Sequence, residues 1–408
     1  MTQSSDLNIT SSAFKENPYS TFTEMRTHNP IQKAPMPGGR EAWLITDYSA
    51  ADSALRDPRF VKDINSVLSP EEVEKYFPPQ VPGQQPMFAE QMLNTDPPKH
   101  TRLRSLVNLT FTPRLIEHMR ERIQVIANEL LDAIQEKGQK EIDLLETFAF
   151  PLPIIVISEM LGVSSKDRNQ FRIWSNIIVD STGNPEAFKN AREELFKFYA
   201  YIRELIAEKR QHPADDLLSQ LIAVETAGDK LAENELVSMV FLLIVAGHET
   251  TVNLIGNGVL SLLTHRDQLE KLKQDPGLIK TAVEEFLRYR SPVMTSTNRW
   301  AREDLTFRGQ QIKRGEQVLV ILAAANHDPA VFDDGEELDI TRPENRHLAF
   351  GKGIHYCLGA PLARLEGQIA INTLLKRLPD IRLNIDPQDL QWRPGLLILG
   401  LTDLPVTI

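Results

Sequence analysis

The chain has 408 residues, 41% of them hydrophobic, enough to bury a large core, and its formal net charge of −11 argues against nucleic acid as a partner. Its single cysteine, Cys357, excludes an intramolecular disulfide and suits a reducing cytoplasm.

The start, Met1 to Ser12, is polar, lacks the basic-then-apolar pattern of a secretory signal, and is expected to be disordered. The most apolar run, Leu236 to Gly247, is shorter than the ~20 residues that span a bilayer, and His248 and Glu249 follow it, so no membrane anchor is expected. Length alone suggests two or three domains. No Gly/Ser-rich or Pro-rich linker marks a boundary, however, and the longest turn-rich stretch, Pro78 to Pro98, has only a loop's length.

Taken in order, the predicted elements are mostly helical. Ala42–Ile45 reads as a strand. Pro113–Glu136 opens with Thr112 and Pro113 as cap and first-turn signals and repeats Leu115, Met119, Ile123, Ile126 and Leu130 on one face. Helices follow at Leu145–Leu161, Ser165–Val179, Glu186–Arg210, Glu233–Leu263 and Pro276–Arg290. Glu233–Leu263 is long and apolar around much of its circumference, as in a helix that crosses a molecular interior. Strands are expected at Leu305–Phe307 and Gln317–Ile321, a helix at Leu358–Leu378 and a last strand at Leu396–Leu399. The fold class is mainly α with small β-sheets, α+β rather than a βαβ alternation.

A lone cysteine is usually a small buried hydrophobe, but Cys357 has an unusual setting. Gly351, Gly353 and Gly359 let the backbone bend tightly and approach a flat ligand. The helix starting near Leu358, with Pro361 in its first turn, would aim N–H groups at the sulfur and favour a thiolate. Such a thiolate is a good ligand for haem iron.

Phe350, Gly353, Cys357 and Gly359 match the pattern Phe-x-x-Gly-x-x-x-Cys-x-Gly at every defined position, and the chain resembles the cytochrome P-450 superfamily. The resemblance implies haem b (iron-protoporphyrin IX) with Cys357 as the metal ligand, and a single domain over 1–408 shaped as a triangular prism with a long central helix. The run Ala360–Glu366 and Trp392–Gly395 most resemble the branch of soluble bacterial enzymes rich in macrolide and polyketide hydroxylases.

Three further motifs agree with the resemblance. Glu285 and Arg288 lie on one helix face, at the place of the family's buried Glu-x-x-Arg, and Arg342, with Arg346 as the weaker candidate, matches its third, structural member. Glu117 and Arg120 share that spacing but read as a surface pair. Ala246-Gly247-His248-Glu249-Thr250 is similar to the family's oxygen-activation motif, in which the helix widens and an acid–alcohol pair, here Glu249 and Thr250, relays protons. A zinc-protease reading of His248-Glu249 fails because Val252 stands where a second histidine is needed. His100, Arg104, Arg299 and His355 match the family's propionate contacts, and Ala246, Gly247, Phe350, Gly351 and Gly359 its haem-lining positions.

The resemblance also implies substrate contacts from Phe88, Met92 and Leu93, from the connection Ser181–Pro185, from Leu242, Val245 and Ala246, from Val293, Thr295 and Thr297, and from Leu397 and Ile398. Such an apolar set with a few hydroxyls suits a lipophilic substrate. The implied reaction is hydroxylation or epoxidation with dioxygen, using electrons from a ferredoxin or flavodoxin and its reductase, in the cytoplasm. Lys99, Arg102, Lys352 and Arg364 are a candidate basic patch for an acidic electron carrier. A peroxide-driven fatty-acid hydroxylase is the rival, but that class carries an arginine-proline pair where this chain has Glu249 and Thr250. A non-catalytic haem sensor or carrier is a second rival.

Overall fold

The computed structural model describes residues 9, 14–15, 17–36, 40–76, 91–164 and 229–408, with most of 166–224. Apart from Ile9, the expectation of disorder for 1–12 concerns residues outside those described.

The elements that carry the site are, in chain order, α1 (Pro18–His28), β1 (Ile31–Met36), β2 (Arg40–Ile45), α2 (Tyr48–Arg56), β3 (Phe60–Val61), α3 (Lys99–Thr110), α4 (Pro113–Glu136), α5 (Pro151–Met160), α6 (Glu233–Thr264), α7 (Ile279–Tyr289), β4 (Arg299–Ala301), β5 (Gln317–Val320) and α8 (Ala360–Arg377). They fall into two compact units. One comprises Met1–Pro79, Asn253–Cys357 and Asp380–Ile408, the other Gln80–Val252 and Leu358–Pro379.

The first unit is built on a five-stranded sheet in the order β1-β2-β5-β4-β3. β2 runs parallel to β5, pairing Ala42 with Gln317 through to Ile45 with Val320, and β4 runs antiparallel to β5, pairing Arg299 with Val318. Asp47 caps α2 by accepting the Ala50 N–H at 2.8 Å. The small buried face of α2, Ala50, Ala51, Ala54 and Leu55, joins Trp43, Ile45, Phe60, Val318, Val320 and Leu348 in one apolar core. Lys15, only 1% exposed, donates to the carbonyls of Pro394 and Ile398 and so ties the C-terminal turn to the first residues of the chain.

Leu396–Leu399 was expected as a strand and is not one. The ladder stops at a single bridge, Val293 to Ile398, flanked by the bonds Met294 N–H to Leu397 O and Leu399 N–H to Pro292 O. Pro292 has no N–H to extend it, and Gly395 turns the chain at φ +100°.

In the second unit, Thr112 caps α4 by accepting the Leu115 N–H at 3.2 Å, and Pro113 opens the helix. The buried stripe Ile116, Ile123, Ile126, Ala127, Leu131 and Ile134 follows the helical period, and α4 packs along α8. Gln124 bonds Thr373 at 2.9 Å and Arg377 bonds Asp132 at 2.7 Å along that contact. The expected helix Leu145–Leu161 is divided, with a π-helical turn over Leu145–Ala149 before α5. Pro151 has no N–H and crowds the preceding turn, so the Phe150 N–H closes the wider ring to Leu145 O at 2.9 Å.

α6 is a 32-residue helix. By length and composition it could cross a membrane, but 61% of its most apolar window is buried inside the structure, as in a core helix.

Candidate active site

Cys357 closes a tight loop. Gly351 N–H bonds Leu348 O at 2.8 Å, a 3-10 turn spans Gly353–His355, and Cys357 N–H returns to Phe350 O at 2.9 Å. Gly351 and Gly353 sit at φ +68° and +71°, and a Cβ on Gly353 would lie 2.8 Å from the carbonyl oxygen of Leu55 at the end of α2. Backbone gives little, so the loop requires glycine there. Phe350 packs edge-on to Tyr356 at 6.4 Å, and Cys357 is partly exposed.

Beside this loop lies a buried carboxylate with five donors. Arg288 forks onto Glu285 at 2.8 and 2.7 Å, the Asp339 N–H and Asn345 Nδ2 each bond it at 2.9 Å, and Arg342 Nε reaches it at 3.2 Å. Glu285 and Arg288 are fully buried. Arg288 spends its remaining donors on the carbonyls of Asn326, Gly335 and Glu337 at 3.0, 2.6 and 2.8 Å. Arg346 is exposed and pairs with Glu344 instead. Glu117 and Arg120 form a solvent-facing pair on α4.

Two residues without a sequence motif hold the chain at the entry to the loop. Asn326 accepts the Leu348 N–H at 2.7 Å and donates to Ser291 at 2.9 Å. His347 meets Glu284 at 3.0 Å and accepts the Ala349 N–H at 3.2 Å, which makes Nε2 the protonated nitrogen.

On α6, Ile244, His248, Glu249 and Thr251 are buried, whereas Leu242, Val245, Gly247 and Thr250 are only partly covered and Ala246 is exposed. Leu242, Ala246 and Thr250, four residues apart, form one stripe, on which Thr250 carries the only hydroxyl. No widening interrupts the helix here. The hydroxyls of Thr250 and Thr251 instead donate to the carbonyls of Ala246 and Gly247 at 2.7 and 3.2 Å. His248 sets its ring edge-on to Phe150 at 4.3 Å. Thr251 also hydrogen-bonds Glu366 of α8, whose burial pushes its carboxyl up to about 8.

The matched propionate contacts are well covered. His100 is 2% exposed one turn before Arg104 on α3, and Arg299 is 5% exposed on β4. His355 and Arg104 are half-buried. Burial, with Arg104 nearby, holds the His100 imidazole below its usual range, against the opposing pull of Asp96. The basic-patch expectation is corrected at Arg102, which bonds Glu235 and lies 3.6 Å from Asp229, with Lys99 4.0 Å from the same Glu235.

The substrate-contact expectations fall as follows. Phe88 and 181–184 lie outside the described residues. Met92 is buried on a short 3-10 turn and Leu93 is half-buried. The bridge brings Val293 to Ile398, with Leu397 beside them. Thr295 is 2% exposed, and Thr297 is half-buried.

Residues 54–389 match the Cytochrome P450 family. The chain is 47% identical over 399 residues to the polyketide biosynthesis cytochrome P450 PksS of Bacillus subtilis (strain 168), covering 97% of this chain and 96% of that one. It is 42% identical over 402 residues to the cytochrome P450 monooxygenase PikC of Streptomyces venezuelae, covering 98% and 93%. The crystal structure of myxobacterial CYP267B1 in complex with myristic acid aligns at a TM-score of 0.91 and 41% identity, over 98% of each chain. The chain belongs to the cytochrome P450 family and has its fold. Within it, the chain is a bacterial P450 monooxygenase of the polyketide and macrolide hydroxylase branch, whose cofactor is haem b. It uses dioxygen, a redox partner and a lipophilic substrate.

The residues present fit that cofactor. Cys357 offers a sulfur donor on a glycine-shaped loop, and His100, Arg104, Arg299 and His355 carry the cationic and N–H donor groups that suit carboxylates.

Proposed function

We propose that this enzyme, working as one cytoplasmic catalytic domain, hydroxylates or epoxidises a polyketide- or macrolide-like secondary metabolite with electrons from a ferredoxin or flavodoxin and its reductase. In this reading Cys357 binds the iron, and Phe350, Gly351, Gly359, Ala246 and Gly247 line the haem. His100, Arg104, Arg299 and His355 hold its propionates. When bound, haem supplies the activation of dioxygen and the insertion of one oxygen atom into substrate, the other leaving as water.

The observation that carries the reading is the α6 stripe, where one hydroxyl, Thr250, stands on an otherwise apolar, incompletely covered face beside the buried Glu249. Thr250 holds a proton at Oγ1 and Glu249 replenishes it, while Leu242, Val245 and Ala246 offer apolar contact to substrate. Met92, Leu93, Val293, Leu397 and Ile398 are further apolar substrate contacts in this reading, with Thr295 and Thr297 as polar ones. Glu285, Arg288 and Arg342 are structural and keep the cysteine loop in place. The naming of PksS as a polyketide-biosynthesis enzyme supports the substrate class.

A turnover assay tests this. Product should form with a reduced ferredoxin or flavodoxin system and a polyketide substrate. Turnover with hydrogen peroxide alone, equally fast, would favour the peroxide-driven rival, and none with either would favour a sensor.

A further inference from the structure

We infer that Lys62 converts the Thr297 hydroxyl into a dedicated hydrogen-bond donor, so that the enzyme selects lipophilic substrates carrying an acceptor oxygen at that point. The inference rests on the reading of Thr297 as a substrate contact. Lys62 follows β3 directly, and the antiparallel register of β3 on β4 (Phe60 with Ala301, Val61 with Trp300) brings it to the residues just ahead of Arg299. Its side chain is 6% exposed and its ammonium donates to Thr297 Oγ1 and, at 2.8 Å, to the carbonyl of Asn298.

An ammonium has no acceptor site, so in the Lys62–Thr297 bond the hydroxyl oxygen must accept. That occupies one lone pair and sets a positive charge against any further donor that approaches. What Thr297 has left to offer is its O–H, made a stronger donor by the charge on its oxygen. The neighbouring Ser296 is buried, and its Oγ accepts the Val320 N–H at 3.1 Å, so it is the less accessible of the two hydroxyls. Thr297 is half-buried, so a ligand can reach it. A carbonyl, ester or carboxylate oxygen satisfies the O–H, whereas a purely hydrocarbon chain leaves it desolvated without a partner.

The test uses the holoenzyme and two probes of one shape, 2-tridecanone and 2-methyl-1-tridecene, titrated against the haem absorption shift. The wild type should bind the ketone roughly tenfold more tightly than the alkene, the worth of one buried hydrogen bond. Thr297→Val and Lys62→Met should each bring that ratio close to one, mainly by weakening the ketone, and Thr297→Ser should keep it. A ratio unchanged in Lys62→Met, or affinities that fall in parallel for both probes, would overturn the inference. So would faster haem loss to a scavenger apoprotein in Thr297→Val with the ratio intact, since the donor would then serve a propionate. Leu242→Ala separates the underlying reading from the inference, and should weaken both probes alike. If it weakens neither, the substrate-face reading falls, and the inference with it.

Discussion

Asn326 Oδ1 accepts the Leu348 N–H at 2.7 Å, two residues ahead of the loop that carries Cys357, while the Asn326 backbone carbonyl takes Arg288 Nη1 at 3.0 Å. One residue, through its backbone and its side chain, thus couples the buried ion network to the entry of the cysteine loop. Asn326→Ala leaves the Leu348 N–H without its acceptor and removes the bond that Ser291 Oγ accepts, and should destabilise the fold by about 2–3 kcal/mol. Denaturant unfolding measures that loss, and Asn326→Asp, which keeps the acceptor, should recover part of it. Equal stability of Asn326→Ala and wild type would show that the coupling carries no energy.

The two Glu-x-x-Arg motifs should differ sharply in energy. Glu285→Gln removes the charge facing the buried Arg288 and the partly buried Arg342 and should cost about 3–5 kcal/mol. Glu117→Gln, on the exposed pair, should stay within about 1 kcal/mol of wild type. Urea midpoints at constant slope compare them, and similar losses at both sites would contradict the assignment of Glu285 as the structural member.

Much of this was legible in the residues. The cap and period of α4, the apolar length of α6 and the cysteine pattern are local signals, each read within a few turns of chain. Asn326, His347, Lys15 and Lys62 were not, because each acts on backbone or side chains distant in sequence, and nothing local distinguishes a buried lysine from a surface one. Glu366 was visible only as part of a branch signature, while its chemistry depends on burial against Thr251. The strand expected at Leu396–Leu399 failed for a related reason, since its pairing depended on Pro292, about a hundred residues earlier.

Glu366 sets a pH dependence. Burial raises its carboxyl from the ordinary 4.5 to about 8, the Thr251 hydrogen bond opposing. Between those values the folded protein holds a proton that the unfolded chain releases, so this group's contribution to stability is full below about pH 4.5 and is lost as pH rises through 8. Glu366→Gln, neutral throughout, should therefore gain stability relative to wild type as pH rises from 5 to 8. Chemical denaturation across that range checks it, and parallel curves for the two proteins would contradict it.

Thr250→Ala removes one hydroxyl at a position alanine favours in a helix, so folding and haem content should persist. If Thr250 Oγ1 delivers a proton during turnover, product per reductant consumed should fall roughly tenfold or more, with hydrogen peroxide released in its place. If the hydroxyl serves only the Ala246 carbonyl, product and reductant use should change together and the ratio should hold.

The central claim is that Cys357 binds the haem iron as a thiolate, and the spectrum of the reduced carbon monoxide complex tests it most directly. Wild-type protein should show the red-shifted band of thiolate ligation, and Cys357→Ala should lose both that band and all oxygenase turnover. The loop closure with Phe350 uses the backbone N–H of Cys357, so the substitution leaves that bond in place, and the loop should survive. A normal thiolate band in Cys357→Ala would contradict the assignment outright.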